Sequence, residues 1–134
     1  MPTKREAKSV KWLEFGLLAV GAFLRYKMVE SPMAVCGLPV NVLLVNVMGS
    51  FILGLFSVLS VSFNFDPQYT LLVAVGFCGS FTTMSSFALE TVNLADANRF
   101  SLMALNILAN VGLSLGAVWG GRAIGTFALE RFVR

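Results

Sequence analysis

Four long apolar runs separated by short polar breaks dominate the chain: residues 12–28, 40–63, 69–95 and 100–127. Each approaches or exceeds the ~20 residues that a helix needs to cross the hydrocarbon of a bilayer. None alternates with the period of two that marks a barrel strand, and in hydrocarbon only helices or closed barrels satisfy their own backbone. The pattern predicts an all-α integral membrane protein: four transmembrane helices forming a single domain over residues 1–134.

The third run is not uniformly apolar. Its middle reads Gly76-Phe77-Cys78-Gly79-Ser80-Phe81-Thr82-Thr83-Met84-Ser85-Ser86-Phe87, crowding five hydroxyls and two glycines into membrane depth. Ser and Thr can bond back to a preceding carbonyl and survive in a plain helix. Such density beside Gly79 points instead to a break near 79–83, since unwound backbone is tolerated where protein or a cavity surrounds it. A break exposes carbonyls that can hold a cation, and amides or hydroxyls that can meet an anion.

Two other helices carry polar stripes. Asn106, Asn110 and Ser114 recur every four residues in the fourth helix, while Gly112, Gly116 and Gly120 form a small-xxx-small ladder on a nearly opposite face. One face is expected to present hydrogen-bonding groups and the other to pack closely on a neighbour. The second helix repeats the theme with Asn46 and Ser50 beside Gly49 and Gly54. A carboxamide offers two donors and two acceptor lone pairs, so a ligand or a neighbouring helix must satisfy it in hydrocarbon.

Composition narrows the picture. Of 134 residues, 57% are hydrophobic and only 13% are charged, too little polar surface to clothe a water-soluble globule. Histidine is absent, which removes the commonest zinc ligand and the usual general base, and Cys36 and Cys78 suggest neither disulfide nor metal spacing. The expectation is that the chain is not an enzyme. A basic lead of Lys4, Arg5, Lys8 and Lys11 precedes the first helix, but Arg25 and Tyr26 stand where a signal peptidase needs small neutral residues, so that helix is read as retained.

An even number of spans places both termini on one face. Lys4, Arg5, Lys8, Lys11, Arg122, Arg131 and Arg134 lie there, against Arg25, Lys27 and Arg99 opposite. The positive-inside rule therefore favours cytoplasmic termini, and the excess of base is a topology signal, not a nucleic-acid patch. With no internal repeat and little volume enclosed by four helices, a solute pathway is expected to need a pair of chains.

At these residues the chain resembles the Fluc (CrcB) family of fluoride channels, whose third helix carries a signature close to GFCGGxTTFSTFxxE. Here the sequence is GFCGSFTTMSSFALE at 76–90, and further resemblance runs through 21–26, 43–49 and 111–120. The resemblance implies an antiparallel dual-topology dimer with two pores in a prokaryotic plasma or inner membrane, giving passive fluoride efflux and resistance to fluoride. It implies a central structural Na+ held by the main-chain carbonyls of Gly79 and Thr82. It also implies an ion pathway that includes Asn46, Ser85, Ser86, Phe87 and Ser114, with Asn110 on the same helix-four stripe and Met84 in the wall. Arg25 and Glu90 fall at vestibule positions.

Three departures stand out. Met84 replaces the first phenylalanine of the signature, and a thioether is a weak acceptor where a ring edge is a donor. The bias of seven basic residues to three is unusual for dual topology, so a fixed-orientation subunit paired with a paralogous chain is an alternative to the homodimer. Asn41-Val42 replaces Gly-Thr before the helix-two motif, which affects a loop edge and not the pore. A small multidrug antiporter shares the size but needs a membrane-buried carboxylate, and Glu14 and Glu90 sit too near helix ends. A non-transporting scaffold, with the polar stripes as glue, is the third reading.

Overall fold

The computed structural model describes residues 4–132, with side chains for 11–131; the side-chain charges counted at Lys4, Arg5 and Lys8, and Arg134 as a whole, thus lie outside what is described. The chain is almost wholly helical. Helix α1 (Lys4–Glu30) leads into a short hairpin of β1 (Ala34–Val35) and β2 (Leu38–Pro39), followed by α2 (Asn41–Ser62). The third hydrophobic run is composite: α3 (Pro67–Leu71), a π-helical stretch (Leu72–Cys78), a single turn α4 (Gly79–Phe81), and α5 (Met84–Asp96). Helix α6 (Phe100–Phe132) completes the chain.

Among the described residues, three stretches are long and apolar enough to cross a membrane: Asn41–Ser62, Pro67–Asp96 and Phe100–Arg131. Large side chains such as Trp12, Trp119, Leu108 and Phe127 lie on the outside, while the small core holds Val42, Val45, Leu72, Phe81 and Phe87. That inversion suits a bilayer, where lipid is as apolar as leucine and close packing with interhelical hydrogen bonds holds helices together.

Local chemistry sets the joints. Asp66 caps α3 by accepting from Gln68 N at 2.9 Å, and Pro67 fills the first helical position, where its missing N–H goes unneeded. The loop expected at 29–39 contains the hairpin, whose turn residues Cys36 (φ 51°) and Gly37 (φ 82°) both lie in the left-handed region, as a two-residue type I′ turn requires. Gly37 packs against the Arg99 guanidinium, placing the first and third loops on one face. Asn41 fixes the base of this loop: its Nδ2 donates to Met28 O and Ser31 O, and its Oδ1 accepts from Met33 N.

The tightest helix pair is α2 with α6, and the glycines that allow it are not those of the expected ladder. A methyl on Gly54 would strike the backbone of Val118, and one on Gly121 would strike Phe51 O and Leu55 N. Gly112, Gly116 and Gly120 would meet nothing within 4 Å. Within the protomer the expectation of close packing on that ladder is therefore corrected. The face of α6 that meets α2 also carries buried Gly121 and Gly125, four residues apart, and close backbone approach selects them.

Candidate functional site

The break lies at Thr82 and Thr83. Gly79, beside which unwinding was expected, is helical (φ −67°, ψ −34°), whereas Thr82 (ψ 158°) and Thr83 (φ −147°, ψ 116°) are extended. Both are β-branched, a class that favours extended backbone. Thr83 also caps α5, its Oγ1 accepting from Ser86 N at 3.2 Å.

Neighbouring helices hold the extended pair in place. From α2, Asn46 Oδ1 accepts the Thr83 N–H at 2.8 Å and Asn46 Nδ2 donates to Thr83 O at 3.1 Å. Gly49, less than one turn along, meets the Thr82 methyl. From α1, Gly21 comes so close that an added methyl would collide with Ser80 Oγ and lie 2.7 Å from Phe77 O. One turn on, Arg25 Nη1 donates to Thr82 O at 3.3 Å.

This arrangement leaves the carbonyls at the end of α4 without their helical donors, those of Gly79 and Thr82 among them. The partner of Gly79 O in an α-helix is the Thr83 N–H, which goes to Asn46 instead. The partner of Thr82 O is the Ser86 N–H, which goes to Thr83 Oγ1. Among the described residues no group of His, Cys, Asp and Glu is gathered as a metal site would need. A cation at this point would meet main-chain oxygen.

A polar chain runs from the break into the protein. Asn46 Nδ2 also donates to Asn110 Oδ1 at 3.2 Å; Asn110 Nδ2 donates to Asn106 O and Oδ1 at 3.1 and 3.0 Å. Asn106 Nδ2 then donates to Thr91 Oγ1 at 3.1 Å, and Thr91 Oγ1 to Phe87 O at 2.7 Å. Asn106 is fully buried, so its satisfied amide removes a desolvation penalty of about 1–3 kcal/mol for each unmade bond. The N–H groups of both groove asparagines are thereby directed at protein acceptors.

The predicted site residues divide between two faces of the third helix. Asn46, Gly79, Thr82, Met84, Phe87, Asn110 and Ser114 line one groove of about 340 Å³, joined by Ser50 and Cys78. Met84 is 73% exposed there, while Phe87 is buried. Ser86 instead lines a crevice of about 240 Å³ on the α1 side with Arg25, Tyr26 and Glu30. Ser85 is exposed, its Oγ 3.2 Å from Thr83 Oγ1. Glu90 is half-buried, with one carboxylate oxygen enclosed and unpartnered among the described residues. Thr83, Asn106 and Thr91 belong to this constellation although none was assigned to the ion pathway: Thr83 falls within the expected break and Asn106 on the polar stripe of the fourth helix, while nothing in the sequence singles out Thr91.

Comparison with known proteins matches residues 14–122 to the model of the CrcB-like protein family, described as camphor resistance (CrcB). A fluoride-specific ion channel FluC of Nitrosopumilus maritimus (strain SCM1) is 56% identical over 119 residues, 86% of this chain and 94% of that one. The FluC proteins of Koribacter versatilis (strain Ellin345) and Methanopyrus kandleri (strain AV19) are 41% and 42% identical, over 84% and 78% of this chain and 91% and 80% of theirs. With a family match from the first helix into the last and close relatives of nearly its whole length, this chain belongs to the CrcB family.

Proposed function

We propose that the chain is a fluoride-selective channel giving passive efflux of fluoride, working as an antiparallel dimer of four-span protomers with a structural Na+ at its centre. The observation that carries this reading is the uncharged groove in which Asn46, Met84, Phe87, Asn110 and Ser114 meet beside a clamped helix break. The relatives named fluoride-specific channels supply the ion.

Fluoride is small and strongly hydrated, so a pore must replace water with convergent donors. The Ser114 hydroxyl, the electropositive edge of Phe87 and the amides that open α5 are the candidates, because the Asn46 and Asn110 N–H groups are taken up by the network. None of these donors is cationic, so the ion is bound without being trapped. The network keeps the wall rigid, and a partner would close the groove's open side. The membrane potential, negative inside, drives the anion outward without an energy source.

The carbonyls of Gly79 and Thr82 fit Na+, a hard cation that takes neutral oxygen donors, and the break has freed both of helical donors. When bound, the ion would satisfy carbonyl dipoles that the break leaves without helical donors. A paired, fixed-orientation subunit is the second reading, favoured by the surplus of basic residues on the terminal face.

The deciding experiment is fluoride efflux from loaded liposomes, read with an ion-selective electrode beside a chloride control. Fluoride release without chloride release supports the channel. A chain that dimerises and stays silent to fluoride overturns it, and a chain that neither dimerises nor conducts alone but conducts with a paralogue supports the paired form.

A further inference from the structure

We infer that Arg25 competes with the cation for the Thr82 carbonyl, so that this one side chain sets how much sodium the assembly needs. The inference rests on the sodium reading above. Arg25 is a positioning residue here: it acts through Thr82 and does not line the groove.

Gly21 and Arg25 lie one turn apart on the face of α1 that packs on the third helix. The close approach at Gly21 brings α1 against Phe77, Ser80 and Phe81, and that spacing puts the guanidinium 3.3 Å from Thr82 O. The carbonyl is available because Thr83 Oγ1 has taken the Ser86 N–H. Arg25 makes no ion pair among the described residues; Glu30, the nearest acid on its own helix, is held by Lys27 at 2.8 Å and by the Tyr26 hydroxyl at 3.3 Å. Its guanidinium is therefore directed at the break, with no carboxylate in ion-pair distance among the described residues.

A carbonyl oxygen has two lone pairs, so a guanidinium and a metal ion can share it sterically. They cannot share it without repulsion. Two unit charges roughly 6 Å apart at an effective dielectric of about 20 shift a binding equilibrium by a hundredfold, and partial withdrawal of the side chain leaves about tenfold. Withdrawal has a destination: the crevice lined by Ala22, Tyr26, Val29, Glu30 and Ser86 adjoins the guanidinium and has room for it. Arg25 thus holds the Thr82 carbonyl in place when sodium is scarce and yields it when sodium is abundant.

The test is a sodium titration of thermal unfolding, with N-methylglucamine chloride holding ionic strength constant, on the purified full chain and on Arg25→Gln and Arg25→Lys. The sodium concentration giving half-maximal stabilisation should fall about tenfold in Arg25→Gln and stay near the parent value in Arg25→Lys. A merely structural arginine gives the opposite sign, because a loosened break needs more sodium. An unchanged or raised midpoint in Arg25→Gln overturns the inference while leaving the sodium reading intact. A parent protein indifferent to sodium overturns the sodium reading itself. Should Arg25→Gln not fold, Arg25→Met repeats the measurement with an uncharged chain that still covers the crevice.

Discussion

Asn46 and Thr83 face each other as two residues of neighbouring β-strands would: the asparagine amide accepts the threonine N–H at 2.8 Å and donates to its C=O at 3.1 Å. A side chain from α2 thereby substitutes for the helical hydrogen bonds that the third helix gives up, at a depth where water is not available to do so.

Asn46→Ala should therefore destabilise the protein by about 3 kcal/mol, since both Thr83 groups lose their partner. Asn46→Asp should be no better, because its carboxylate still accepts from Thr83 N but repels Thr83 O and Asn110 Oδ1. Thermal unfolding in detergent and fluoride efflux from liposomes measure the two effects, and efflux should fall to a tenth or less in both. A fully stable Asn46→Asp variant would show that the paired geometry is dispensable.

The glycines of α6 should separate into two classes. Gly121→Ala, and Gly54→Ala across the interface, push a methyl into fixed backbone and should cost about 1–3 kcal/mol. Gly112→Ala and Gly116→Ala face open space in the protomer, and each should leave its stability within about 0.5 kcal/mol. Equal losses at all four positions would contradict the packing described for α2 and α6. A loss of dimer alone in the second class would locate the partner on that ladder.

Met84→Phe restores a ring to the groove wall. Because Met84 is 73% exposed, the unfolding temperature should hardly move, while fluoride efflux should rise. Equal efflux from the variant and the parent would mean that the thioether serves as well as an aromatic edge.

Asn41→Ala removes the contacts that tie the end of α1 to the hairpin, and should cost about 1–3 kcal/mol. Efflux per folded protein should not change, since Asn41 lies outside the groove. A selective loss of conduction would instead tie the loop to the ion path.

The sequence by itself determined the class of the molecule, because the hydrophobic period and the shortage of charge leave a bilayer as the only suitable solvent. It also located the interruption, since five hydroxyls in the middle of an apolar run need partners that lipid does not supply. It did not determine which residues unwind. Gly79 has the freer backbone, yet Thr82 and Thr83 are extended, because Asn46 and Arg25 from other helices satisfy their peptides and nothing equivalent faces Gly79. Nor did four-residue spacing distinguish the glycines that pack from those that face outward, a choice fixed by where α2 crosses α6. Two serines expected on one pathway likewise line different surfaces, Ser86 the crevice beside Arg25 and Ser114 the groove. Spacing assigns a residue to a face of its own helix; only the packing of the other helices decides what that face meets.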